Sequence, residues 1–246
     1  MVRKKSDPSI KSETQDSKPF SKKDFINSVI KRKQKNKFLT ENQKEYYELL
    51  KNNQIIVCSG PAGVGKSYIS MKAAIDLLTD TNNSYEKIII VRPAVESSDS
   101  KLGSLPGDLR EKMDPYVYAS FYLLNKIIGS ESIKKLEESG IIEIMSLSFM
   151  RGINVDNSIL VFEESQNSTP SEMKMVLTRI GFNSKFFISG DIEQSDKFKQ
   201  KEKSGLYDAL QRLTEMDNIA VFKFNTKDVV RNPIITEILK RYDTEY

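Results

Sequence analysis

The stretch that most constrains this chain is GPAGVGKS, Gly60 to Ser67. The apolar run Gln54–Cys58 enters it, and a segment with Ile69, Ala73 and Leu77 at helical spacing leaves it. Every fixed position of G-x-x-x-x-G-K-[ST] is satisfied, in the strand–loop–helix context that gives the pattern meaning. Glycines at 60, 63 and 65 let the backbone curl until successive N–H groups converge, and the following helix adds the positive end of its dipole. Such a loop cradles phosphates. The expected ligand is a nucleoside triphosphate, ATP, held by Gly60, Pro61, Ala62, Gly63, Val64, Gly65, Lys66, Ser67 and Tyr68. Lys66 can reach the β- and γ-phosphates, and the Ser67 hydroxyl can ligate magnesium (Mg2+).

Magnesium on such a loop needs an acid at the end of another core strand, and hydrolysis needs a group that activates water. SILVFEES supplies both: a strand pattern over Ser158–Phe162, then Glu163 for the metal and Glu164 for the water. The usual pair there is Asp-Glu, and Glu163 carries one methylene more than aspartate. Two surface acids after a buried strand are the plainer alternative. A third strand pattern, Lys185–Ile188, runs into SGDIEQ and puts Asp191 and Gln194 at the carboxyl edge of the sheet, where open α/β folds bind ligands. A simple Gly-Asp turn is the alternative.

Composition removes competing chemistries. The 246 residues contain no histidine, which excludes Ser-His-Asp hydrolysis, His-ligated metals and His general bases. The one cysteine, Cys58, lies in the apolar run before the loop and reads as a small buried hydrophobe; it excludes an intrachain disulfide and a cysteine zinc cluster. No run approaches the ~20 apolar residues of a membrane span, and MVRKKSDPS lacks a secretory apolar core, so a cytoplasmic protein with no membrane partner is expected. The net charge of +4 is uneven. Residues 1–37 hold 12 Lys/Arg and 4 Asp/Glu, which leaves the remainder at −4. The basicity belongs to the amino-terminal segment. Lysine outnumbers arginine 29 to 9, in keeping with an AT-rich genome such as that of a phage.

Two units are expected: a basic tail over 1–37 and a domain over 38–246. Residues 1–19 are polar and lysine-rich, the composition of a disordered segment. From Ser21 a capping-box pattern with Asp24 and apolar Phe25, Val29 and Ile30 allows a short helix, with a solvated linker as the alternative. Thr40 and Gln43 open a second helix. Near-continuous apolar runs at Ile55–Cys58, Ile88–Val91, Ile141–Met145, Ile159–Phe162, Phe186–Ile188 and Ile219–Phe224 predict strands buried on both faces. Helical patterns over Lys66–Leu78, 108–128, Pro170–Ile180 and 204–214 lie between most of them. Alternation of this kind predicts a three-layer α/β fold with a mainly parallel central sheet and helices on both sides.

These motifs resemble those of PhoH-like proteins, P-loop ATPases related to the first core domain of superfamily-one helicases. The resemblance runs through FLTENQKEYYELL, GPAGVGKS, VRPAVE, LGSLPGDL with MDPY, FMRG, SQNSTPSEMKMVLTRIGF, SKFFISGDIEQSD, SGLYDAL and DVVRNPII, from about Phe38 to Tyr242. It implies a RecA-like P-loop NTPase fold. It also implies that Gln43 reads adenine, unless that side chain only caps its helix, and that Gln194 senses the γ-phosphate. Arg92 matches a TRPA-type segment without an assigned role. The resemblance further implies a homo-oligomeric, hexameric ring acting on RNA or other single-stranded nucleic acid. One such domain has no second core to supply arginine to the phosphates, so Arg179 or Arg231 is expected to reach a neighbour's site, with Arg151 a weaker candidate; an ordinary surface arginine is the alternative for each. The family's Asp-Glu-Ala-Gln reads Glu163-Glu164-Ser165-Gln166 here, and Asn232 stands where histidine is common. A regulatory or scaffold protein that binds nucleotide with weak hydrolysis is the competing class. A small-molecule kinase has no use for GDIEQ, and no separate nuclease domain fits in this length.

Overall fold

The computed structural model describes residues 21–31, 37–93, 109–195 and 203–230, with 200, 234 and 241; over 109–117 it describes the backbone only. Its centre is a six-stranded parallel sheet of β1 (Ile55–Ser59), β2 (Lys87–Arg92), β3 (Ile142–Ser146), β4 (Ser158–Phe162), β5 (Lys185–Gly190) and β6 (Ile219–Lys223). The order across the sheet is β3-β2-β4-β5-β1-β6. All six apolar runs are strands. Their side chains divide by alternation, as a pleat requires. Ile56, Cys58, Ile88, Ile90, Ile159, Val161 and Phe187 enter one core, and Ile55, Val57, Ile89, Val91, Leu160, Phe162, Phe186 and Ile188 the other. With both faces apolar, both must be covered, and the helices do so.

The first core is roofed by α1 (Lys22–Val29), α2 (Glu41–Asn52), α3 (Lys66–Thr79), α4 (Leu109–Ile128) and α5 (Ser130–Glu138). The second is closed by α6 (Pro170–Leu177) and α7 (Gly205–Arg212). The three-layer α/β architecture with a parallel sheet is thus the observed one. Every strand points the same way, so the ends of β1, β4 and β5 share one edge.

Helix α1 forms with the capping box intact: Ser21 accepts from the Asp24 amide and Asp24 accepts from the Ser21 amide. It is no solvated linker. Ile26 and Ile30 are buried, and the helix packs on α3 and α5, with Ser132 Oγ donating to the Val29 carbonyl at 3.0 Å.

Helix α6 begins as its Thr169-Pro170-Glu172 pattern predicts, with a complete capping box and proline at its first position. It stops at Leu177, short of Ile180, because the next residues turn to pair with the chain before β4: Val155 N–H donates to the Arg179 carbonyl and Val155 bridges Ile180. Helix α5 was not legible in SESIKKLEE. Only Ile133 and Leu136 are buried there, and the helix starts on Gly129, which offers no side-chain cap.

Candidate functional site

The loop at the end of β1 is shaped by two glycines at positive φ, Gly63 at 89° and Gly65 at 90°. A side chain would be strained at either position. Gly60 matters for a different reason: a Cβ there would lie 2.5 Å from Phe224 Cβ. The end of β6 crosses too closely for any other residue. The loop is braced on three sides. Gly60 N–H donates to the Gly190 carbonyl of β5, Val230 N–H donates to the Gly63 carbonyl, and Gln43 Nε2 donates to the Val64 carbonyl at 3.0 Å. Lys66 Nζ bonds the carbonyls of Gly60 and Pro61, at 2.5 and 3.0 Å. Ser67 and Tyr68 lie in the first turn of α3, whose amino-terminal end opens on the loop.

Gln43 is buried, and its amide is engaged at both ends. Oε1 accepts from Leu39 N–H at 2.7 Å while Nε2 holds the loop. The expected helix cap is present only in part: Thr40 Oγ1 accepts from the Gln43 amide, and the Gln43 side chain turns to the loop instead. Nearby, Cys58 is fully buried and burial pushes its thiol up to about 12, the environment of a structural cysteine.

The acids stand two strands from the loop, roughly 10 Å away at ~4.8 Å per strand, with β5 between. Glu163 is fully buried. Its Oε2 accepts from Ser120 Oγ of α4 at 3.0 Å and lies 3.5 Å from Arg92 Nε, an ion-pair distance. Its Oε1 is buried with no hydrogen-bond partner among the described residues. A buried carboxylate oxygen left without a partner is costly unless something else meets it. That orphaned oxygen and the Ser67 hydroxyl are the hard oxygen donors that suit magnesium, which takes one or two protein ligands beside phosphates and water.

Glu164 has its backbone in the left-handed region, φ 51°, and its side chain half exposed. Arg92 Nη2 lies 3.7 Å from its Oε1, so Arg92 sits beside both acids. Gln166 is the residue that motif reading passed over. It is 2% exposed; Nε2 donates to Glu164 Oε2 at 2.7 Å and to the Gln194 carbonyl at 3.2 Å, and Oε1 accepts from Asp191 N–H at 3.1 Å. The acid strand and the SGDIEQ strand are thereby tied into one wall. A Cβ on Gly190 would lie 2.3 Å from Gln166 Oε1, which explains glycine there. Asp191 is buried and takes the Glu193 amide, whereas the Gln194 side chain is exposed.

The arginines scatter. Arg179 precedes β5 at the opposite edge of the sheet, about 25 Å from Glu163 at ~3.3 Å per residue along β4. Arg151 is exposed, just after the 3-10 turn that follows β3. Arg231 lies outside the described residues. So do Asn232 and most of LGSLPGDL.

A family model described as "PhoH-like protein" matches residues 36–243. A PhoH-like protein of Bacillus subtilis (strain 168) is 42% identical over 206 residues, covering 84% of this chain and 63% of that protein. Protein PhoH of Escherichia coli (strain K12) is 34% identical over 204 residues, 82% of this chain and 56% of that one. The chain therefore spans roughly three fifths of the length of these relatives. Among solved structures, the large terminase of a thermophilic bacteriophage, in complex with ADP, aligns with a TM-score of 0.46 at 11% identity, over 84% of this chain and 50% of that chain. With its family-specific segments and the model match spanning nearly the whole domain, the chain belongs to the PhoH-like protein family.

Proposed function

We propose that this chain is a magnesium-dependent ATPase working as a helicase-like ring on RNA or other single-stranded nucleic acid. The observation that carries the nucleotide reading is the pairing of a glycine-shaped loop with a buried acid, Glu163, whose Oε1 has no partner among the described residues. Phosphate oxygens would take over Lys66 Nζ from the Gly60 and Pro61 carbonyls, and Ser67 and Glu163 would hold magnesium. Bound magnesium would neutralise developing phosphate charge. Glu164, half exposed and bonded by Gln166, would orient or deprotonate water. Gln194 is the proposed γ-phosphate sensor. Gln43 braces the loop, and reading adenine would require it to release Leu39 or Val64.

Titrating a fluorescent ATP analogue into wild type and Lys66→Ala tests the loop. Removing a charge-assisted phosphate contact should weaken binding by about tenfold or more; equal affinities would overturn the reading.

The ring follows the family resemblance, with Arg179 as the candidate to reach a neighbour's site: it lies at the sheet edge opposite Glu163, where an ordinary surface arginine is the alternative. Sedimentation with labelled single-stranded RNA, with and without ATP–magnesium, should show assembly beyond a monomer and co-migration that fades with salt. Neutralising Lys31, Arg32, Lys33 and Lys35 should weaken co-migration while sparing α1. A monomer that leaves RNA behind at low salt would contradict both proposals.

The second reading is a slow nucleotide switch. Arg92 favours it, because its guanidinium already stands beside both acids and would hold Glu164 back from an attacking water.

A further inference from the structure

An aspartate in the place of Glu163 would have a single carbon between backbone and carboxylate. Glutamate adds one torsion, and with it freedom that blurs where the carboxylate sits. In this fold that freedom is removed from outside the motif. Ser120, on α4 and 43 residues upstream, is fully buried and donates Oγ–H to Glu163 Oε2 at 3.0 Å. Arg92, at the last position of β2, brings Nε to 3.5 Å of that same oxygen. Both partners choose Oε2 and neither takes Oε1, which is buried with no hydrogen-bond partner among the described residues. The carboxylate is thus divided: one oxygen spent on the protein, the other held back.

We propose that Ser120 and Arg92 are positioning residues for Glu163, anchoring Oε2 so that Oε1 alone is presented to magnesium or its bound water, in compensation for the longer side chain. This rests on the nucleotide reading of the loop. Neither residue touches the reacting atoms. Ser120 acts through a bond that holds the carboxylate plane, and Arg92 sets an opposite charge 3.5 Å from the same oxygen, which holds it in place. Outer partners of this kind tune metal affinity through the ligand they orient. Aspartate at 163 would fall short of Ser120. In this chain, then, restoring the family's usual residue should impair the site unless Ser120 is changed with it.

The test measures the magnesium concentration at which affinity for a fluorescent ADP analogue is half-enhanced. Affinity in EDTA is read alongside it, and a thermal melt confirms folding. For Ser120→Ala the magnesium midpoint should rise by about tenfold or more, with affinity in EDTA unchanged. Arg92→Gln should move the midpoint the same way and serves if Ser120→Ala does not fold. Placing Ser120→Ala on Glu163→Ala should add nothing to the single Glu163 change, since Ser120 acts through that carboxylate. A midpoint equal to wild type in the folded variants, or a further loss in the double variant, would overturn the proposal. Its failure is distinct from failure of the nucleotide reading. There, wild type itself would show no magnesium-enhanced binding.

Discussion

At the scale of single residues, the site is a set of oxygens and amides each given a definite partner. Gln166 makes the case most clearly. Its buried amide meets Glu164, Asp191 and Gln194 at once, so its loss strands the Asp191 N–H and releases the side chain that faces water. Gln166→Ala should cost about 2–3 kcal/mol of stability, the penalty for leaving buried polar groups unpaired, read from the shift in urea midpoint at constant slope. An unchanged midpoint would mean that water replaces the amide without loss. The shape of the glycine loop was legible, because glycine spacing is a local property. Ser120 was not. It lies past MDPY on α4, outside any motif, and meets Glu163 only after 43 residues of chain have folded back. Gln166 lay in plain view beside the acids, but its role depends on β5 standing next to β4, which no local pattern encodes.

At the scale of elements, the strands were readable because a sheet covered on both faces demands unbroken apolar runs, and all six runs became strands. Helices were readable where caps and periodicity coincided, as in α6, and obscure where they did not, as in α5 with its two buried residues. Helix α1 shows a limit of composition. Its neighbourhood is the most basic of the chain, yet it sends Ile26 and Ile30 into the core against α3, the helix that leaves the phosphate loop. Ile26→Ala should therefore destabilise the domain by about 2–4 kcal/mol, measured by urea unfolding. A change near zero would mean that α1 docks without contributing to the fold.

At the scale of the whole molecule, one parallel sheet gathers the ends of β1, β4 and β5 at one edge and leaves Arg179 at the other. A nucleotide held there would have the loop on one side and the Glu163–Glu164–Gln166 wall on the other. The place of Arg179 is the basis for proposing a neighbour subunit, an expectation that comes from the family resemblance. Among the described residues no helix is long and apolar enough to cross a membrane.

Hydrolysis stands at the centre, and it turns on whether a glutamate pair clamped by Arg92 can do what Asp-Glu does elsewhere. Steady-state phosphate release with ATP and magnesium decides this most directly, comparing wild type with Lys66→Ala and Glu164→Gln. Wild type should release phosphate at a rate that vanishes in EDTA. Both variants should fall by about 100-fold or more, the scale of a positioned general base, with Glu164→Gln still binding the nucleotide. Wild-type release no faster than that of the two variants would contradict the ATPase and leave the nucleotide switch in its place.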